Sequence, residues 1–346
     1  MKIGSFEINK SSPVFIIAEL SANHNGSLEN ALLTIKAAKR AGADAIKLQT
    51  YTADTITIDS KTDDFRLKQG TIWDGKYLYD LYKEAYTPWE WHDEIFNAAK
   101  AEGLICFSSP FDKSSVDLLE NLNAPAYKIA SFEITDIPLI EYVASKGKPV
   151  IISTGIATLE DIDLALAACH KMGNKDIALL KCTSSYPAPI EEANMSMVKD
   201  LAERYGVISG LSDHTIGSTV PIVATCFGAK IIEKHFIIDR AIGGPDASFS
   251  MNEEEFTAMV KSVREAEKAI GVVDYQLTDK QVKGREFSRS LYVVNDIRAG
   301  EMITEENVRS IRPGYGMHPK HYNDILGKKV KTNLEKGDRM DYNHLD

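Results

Sequence analysis

The sequence predicts an α/β protein: a (β/α)8 TIM barrel of parallel strands with a small C-terminal β-rich domain. Three observations lead there. From residue 14 to about 270, short apolar runs alternate with amphipathic stretches in a repeating strand-turn-helix rhythm. The runs are apolar almost throughout, as strands of a parallel sheet covered on both faces must be. After residue 285 the rhythm gives way to short strand-like pieces, "AG" and "KG" turns and small helical segments. A doubly wound open sheet competes for the first part, but no GxGxxG turn follows the first run, and eight units in roughly 250 residues suit a closed barrel.

The eight runs are VFIIAEL (14–20), DAIKLQT (44–50), LICFSSPF (104–111), AYKIASF (126–132), PVIISTG (149–155), IALLKCTS (177–184), GVISGLSDHT (206–215) and AKIIEKHF (229–236). Between them lie helix-period segments such as NALLTIKAAKRAGA, WEWHDEIFNAAKAEG, SSVDLLENL and TLEDIDLALAACHKMG, several closed by Gly or Asn as helix C-caps are. The stretch after the second run, residues 52–92, is far longer than a usual βα loop and reads as a lid or binding segment. The domain boundaries follow: 1–270 the barrel, 271–284 a polar linker without periodic pattern, 285–346 the terminal domain, small for a core of its own.

Bulk properties narrow the function. The 346 residues carry a net charge of −10, 44% hydrophobic and 26% charged residues, and mean hydropathy −0.21. An acidic chain is not attracted to nucleic acid or to anionic membrane, so neither is an expected partner. MKIGSFEINK lacks an apolar signal core, and no run reaches the ~18–20 residues of a membrane span. Cys106, Cys169, Cys182 and Cys226 show no CxxC spacing and read as buried thiols of a reducing cytoplasm.

In a parallel barrel the carboxyl ends of the strands form the active face. Those ends here carry Glu19, Lys47, Gln49, Ser108, Ser109, Lys128, Ser131, Glu133, Ser153, Thr154, Lys181, Thr183, Ser184, Ser212, Asp213, His214, Glu233 and His235. So many polar groups at strand ends call for a ligand. Lys47 and Lys128 interrupt apolar runs, and a buried lysine needs a partner. Three readings stand: ion pairs with Glu19 or Glu133, a Schiff-base lysine, or a clamp for a phosphate or carboxylate, with the serines as further donors. Two lysines with a ring of serines suit the clamp best. His214 and His235 end the seventh and eighth strands, with Glu19 on the next strand round the ring. Two imidazoles beside a carboxylate suit a divalent metal. His24 could touch substrate, whereas His92 and His170 read as packing or surface.

Nine motifs in order, AELSANHNGSL, IKLQTY, FSSPF, AYKIAS, ISTG, KCTSSYP, GLSDHT, EKHF and RPGYG, resemble the sialic acid synthase family over almost the whole chain. The resemblance implies a TIM barrel joined to an antifreeze-like (SAF) domain, and condensation of phosphoenolpyruvate with an amino sugar, releasing phosphate. It implies a divalent ion on His214 and His235, manganese foremost, with magnesium or cobalt as alternatives. Phosphoenolpyruvate falls to Lys47, Ser109, Lys128, Ser131, Ser153, Ser184 and Ser212, although Thr often stands in the family where Ser109 does here, and Asn where Ser184 does. Glu19, Gln49, Glu133, Tyr186 and Asp246 fall where the sugar is handled, with Glu19 moving protons. Arg312 corresponds to an arginine that the SAF domain inserts into the partner's barrel, which implies a domain-swapped homodimer. The first motif reads ELSANHNG where the N-acetylneuraminate and legionaminate branches read closer to EIGxNHxG, so another branch is expected. A Schiff-base lyase and a non-catalytic carbohydrate-binding protein remain the alternatives outside the family.

Overall fold

A computed structural model describes residues 1–68 and 70–346. Its contacts divide the chain into two compact units, Met1–Gly271 and Val272–Asp346.

The first unit opens with an antiparallel hairpin of β1 (Lys2–Ile3) and β2 (Phe6–Glu7). The barrel strands follow: β3 (Phe15–Glu19), β4 (Ala45–Thr50), β5 (Ile105–Pro110), β6 (Tyr127–Ile129), β7 (Val150–Ser153), β8 (Ile177–Cys182), β9 (Ile208–Asp213) and β10 (Ile231–His235). Among the described residues these eight close in parallel, β10 pairing with both β9 and β3. The predicted ring is therefore present, with His235 opposite Glu19 across the closing seam.

The helices are α1 (Leu28–Arg40), α2 (Ala53–Ile56), α3 (Leu78–Ala85), α4 (His92–Ala101), α5 (Lys113–Asn121), α6 (Ile137–Ala144), α7 (Leu159–Lys171), α8 (Ser196–Tyr205), α9 (Thr219–Cys226) and α10 (Glu253–Ile270). Side chains fix several starts: Ser27, Asp112 and Asp136 accept from backbone amides of the first turn, and Thr158 and Asn252 form capping boxes. The long segment after β4 contributes α2 and α3 in addition to α4.

Period two along the strands sorts their residues. Ile16, Ala18, Ile46 and Leu48 point outward and pack under the helices. Phe15, Ile17, Ala45, Phe107, Ala126, Ile151, Ala178, Leu180 and Ile231 fill the interior, joined by Ile3 and Ile8 of the N-terminal segment. Gly210 belongs to this crowded layer: a Cβ there would lie 2.3 Å from the Ile231 carbonyl oxygen.

In the second unit residues 279–284, read from sequence as patternless linker, form α11 (Asp279–Gly284), started by a Thr278–Gln281 capping box. The unit continues with antiparallel β11 (Ser290–Val293) and β12 (Val308–Ile311), then α12 (Tyr322–Ile325). Despite its size it holds a core of its own, including Leu291, Val293, Val308, Ile325 and Val330. The thiol reading needs one correction. Cys106, Cys169 and Cys182 are buried, but Cys226 ends α9 on an exposed face.

Candidate active site

Two steps along each strand beyond the interior apolar layer, the barrel turns from oil to charge. From Ile17 to Glu19, Ala45 to Lys47, Ala126 to Lys128, Ile151 to Ser153, Leu180 to Cys182, Gly210 to Ser212 and Ile231 to Glu233, alternate positions put ionic or hydrogen-bonding groups in one ring. All of them are buried. Such a layer persists only if its charges are paired. Lys128 Nζ reaches both oxygens of Glu233, at 2.8 and 2.9 Å. Lys47 pairs with Glu19, lies 3.5 Å from Glu233 and donates to Ser109 Oγ at 3.2 Å. Ser212 donates to Glu233 at 3.2 Å.

Lys47 is thus ion-paired to Glu19 as read, but the carboxylate shared by both lysines is Glu233, not Glu133. The parity of β10 turns Glu233 inward, whereas Glu133 follows β6 in a short turn and faces the outer cavity. Burial pushes the Glu233 carboxyl up, yet Lys128 and Lys47 outweigh it and bring it down to about 2. Glu19 answers oppositely: burial, joined by the charge of Glu233, raises it to about 7 against the pull of Lys47. Two carboxylates in one cluster are thereby driven apart, the pattern of an acid–base site.

Two cavities meet at this layer. The inner one, about 50 Å³, is lined by Glu19, Lys47, Lys128, Ser153, Ser212, Glu233 and His214 among others. The outer one, about 510 Å³, is lined partly by Glu133, Ser184 and Asp246 and partly by the segment after β4. Gln49, Ala130, Ser131, Tyr186 and His235 border both and form the neck between them. Ser131 is held there by the Gly155 amide at 2.8 Å. Ser109 lines neither space; it sits against Lys47. Arg312 belongs to the second unit, exposed just after β12, and among the described residues its side chain makes no hydrogen bond or ion pair.

His214 and His235 stand side by side, ring centroids 5.3 Å apart. His214 Nδ1 lies 2.9 Å from the Thr183 carbonyl, which holds a proton there and makes Nε2 the nitrogen left to face a ligand. His235 Nδ1 is buried with no hydrogen bond, its nearest acid being Asp246 Oδ2 at 3.7 Å. Burial, reinforced by His214 and the lysines, holds His235 well below the ordinary imidazole range, hence neutral. Among the described residues no group of three His, Cys, Asp or Glu could cage an ion alone. The two adjacent imidazoles are nitrogen donors that could hold a divalent ion, which would need further ligands from outside this pair.

Other histidines are spent elsewhere. His24 is buried against Trp91, accepts from the Gly26 amide and bonds Thr87, so it does not reach the cavities. His92 bonds Thr50 and the Pro88 carbonyl. The sequence also concealed contributors. Cys182 lines the inner cavity, where burial opposes ionisation but His214 draws its thiol down to about 7. Trp73 donates to the Pro245 carbonyl and packs on Tyr186 and Phe249, so a residue of the long insertion walls the mouth. Its place in an overlong loop was the available signal.

Fold and site define a TIM-barrel enzyme whose charged strand-end cavity opens beside a larger polar–apolar one. The NeuB family model matches residues 34–275 and the SAF domain model residues 288–344; the chain belongs to the NeuB family. It is 50% identical over 340 residues to a protein named pseudaminic acid synthase in Campylobacter jejuni, covering 98% of both chains. A pseudaminic acid synthase of Helicobacter pylori is 48% identical, over 93% of this chain and 95% of that one. The crystal structure of N-acetylneuraminic acid (sialic acid) synthetase from Leptospira borgpetersenii, solved with citrate, superimposes with TM-score 0.73 at 30% identity, covering 82% of this chain and 94% of that one.

Proposed function

We propose that this chain is a pseudaminic acid synthase, condensing phosphoenolpyruvate with 2,4-diacetamido-2,4,6-trideoxy-L-altrose to a nine-carbon nonulosonic acid and phosphate. One observation carries the chemistry: a charged inner cavity opens, through a neck that includes His235, into a larger cavity sized for a sugar. The near-full-length identity with chains named for this activity supports the choice of branch.

In this reading Lys47 and Lys128 turn from their carboxylates to hold the phosphate and carboxylate of phosphoenolpyruvate, with Ser131, Ser153, Ser184 and Ser212 as further donors and Ser109 supporting Lys47 from behind. Holding both reactants at the neck removes most of the entropy of their encounter, an effect worth roughly 7–11 kcal/mol when alignment is good. A divalent ion, manganese foremost, would be held by His214 and His235 and supply Lewis acidity at the sugar carbonyl. The new bond joins C3 of phosphoenolpyruvate to C1 of the open-chain sugar. Water then adds at C2, and the C2–O bond to phosphate breaks. Glu19, poised at about 7, moves the proton at the new hydroxyl or at the water. Gln49, Glu133, Tyr186 and Asp246 bind the sugar. Arg312 of a second copy closes the site of the first, in a domain-swapped homodimer whose product decorates surface glycans or flagellin.

The test is direct. Purified protein, phosphoenolpyruvate and Mn²⁺ are incubated with the trideoxyaltrose, N-acetylmannosamine or the trideoxymannose analogue, and phosphate is assayed. Release with the first, lost on chelation and in His214→Ala and His235→Ala, is expected. Release only with either other sugar would overturn the branch, and turnover surviving chelation and both variants would overturn the metal.

A further inference from the structure

The helix α3 raises a question that the reaction as described leaves unanswered. Leu78, Leu81, Tyr82 and Ala85 are spaced i, i+3, i+4 and i+7, the stripe by which an amphipathic helix buries itself in a core. Here all four border the outer cavity. Leu78, Tyr82 and Ala85 are only half-buried. Tyr51 and Phe111 extend the wall: Tyr51 meets Tyr82 edge-on at 5.7 Å and Phe111 at 5.1 Å. An apolar stripe facing a space of about 510 Å³ is unfinished packing, and apolar surface on a ligand would complete it.

The proposed reaction sets the direction in which the sugar lies. Its C1 must sit at the neck, where both cavities meet; its far end then extends away from His235 into the outer cavity. Glu133 and Asp246 also line that cavity and can receive hydroxyl and amide groups. We infer that the α3 stripe, with Tyr51 and Phe111, takes the deoxygenated C6 end of the sugar and sets the preference for a 6-deoxy substrate. The inference rests on the proposed function. A methyl group gains by leaving water for this wall, whereas a hydroxymethyl group gives up water and finds only the phenol hydroxyls of Tyr51 and Tyr82 among otherwise apolar side chains, a poorer exchange.

The experiment compares two sugars identical except at C6, the 6-deoxy substrate and its 6-hydroxy counterpart, in wild type, Leu78→Asn and Ala85→Leu, with phosphate release as readout. Wild type is expected to favour the 6-deoxy sugar in kcat/KM by at least about tenfold. Leu78→Asn should narrow that ratio to within about threefold by lowering the 6-deoxy rate, with KM for phosphoenolpyruvate unchanged. Ala85→Leu, which fills space and keeps the wall apolar, should raise KM for both sugars and preserve the preference. Wild-type turnover of both sugars with no preference, or a Leu78→Asn ratio equal to wild type, would overturn this inference and leave the proposed function standing. A wild type that turns over neither sugar, while releasing phosphate with another, would overturn the proposed function and this inference with it.

Discussion

Replacing Glu233 by glutamine tests the ionic layer at its centre. The side chain keeps its size but loses the charge that Lys128 contacts at 2.8 and 2.9 Å and Lys47 approaches at 3.5 Å. Both ammonium groups lie in a layer with almost no solvent access. Two routes bound the loss. Breaking a buried ion pair from one side typically costs about 3–5 kcal/mol, because the remaining charge is left buried. The alternative is for Lys128 to release its proton. From its ordinary 10.5 to pH 7 is 3.5 units, at most about 5 kcal/mol, and burial already lowers that figure. Glu233→Gln should therefore lose about 3–5 kcal/mol in urea unfolding at pH 7, read from the barrel's circular dichroism. Lys128→Met should recover part of that loss in the double variant, since it removes the stranded charge, and a double-mutant cycle measures the coupling. A Glu233→Gln protein within 1 kcal/mol of wild type, or strictly additive variants, would refute the account of the lysines.

Further outcomes follow from the same geometry. Gly155→Ala places a Cβ at 2.1 Å from Ser184 Oγ and 2.4 Å from Ser131 Oγ, so both hydroxyls must move; KM for phosphoenolpyruvate should rise roughly tenfold or more, with a smaller change for the sugar. Glu19 binds its proton more tightly folded, at about 7, than its ordinary 4.5, so the fold takes up a proton between those values and loses stability as pH rises through that window. Glu19→Gln should flatten that slope in pH-dependent melting and remove the limb near pH 7 from the kcat/KM profile. For Arg312→Ala, calorimetry should show sugar affinity lost and phosphoenolpyruvate binding kept; loss of both would count against its role.

Much of the fold was legible because local chemistry wrote it. Near-continuous apolar runs, capped helices and their eightfold alternation specify parallel strands under helices, and only a ring pairs β10 with β3. The strand-end lysines, serines and histidines were legible for the same reason: a charge inside an apolar run has to face something. Residues whose meaning lies in contacts between distant segments were not. Glu233 and Glu133 look alike in sequence, and only strand parity sends one to the lysines and the other to the outer cavity. Likewise His24 follows a strand as His214 does, but its bonds to Gly26 and Thr87 spend its nitrogens. The stripe on α3 was readable as amphipathic, yet what it faces depends on where a long insertion returns over the barrel. Sequence alone determined which groups needed partners, because burying a charge or exposing an apolar face carries the same penalty anywhere. Tertiary structure decided which partners they found, because that depends on chain closure across hundreds of residues, which no local pattern encodes.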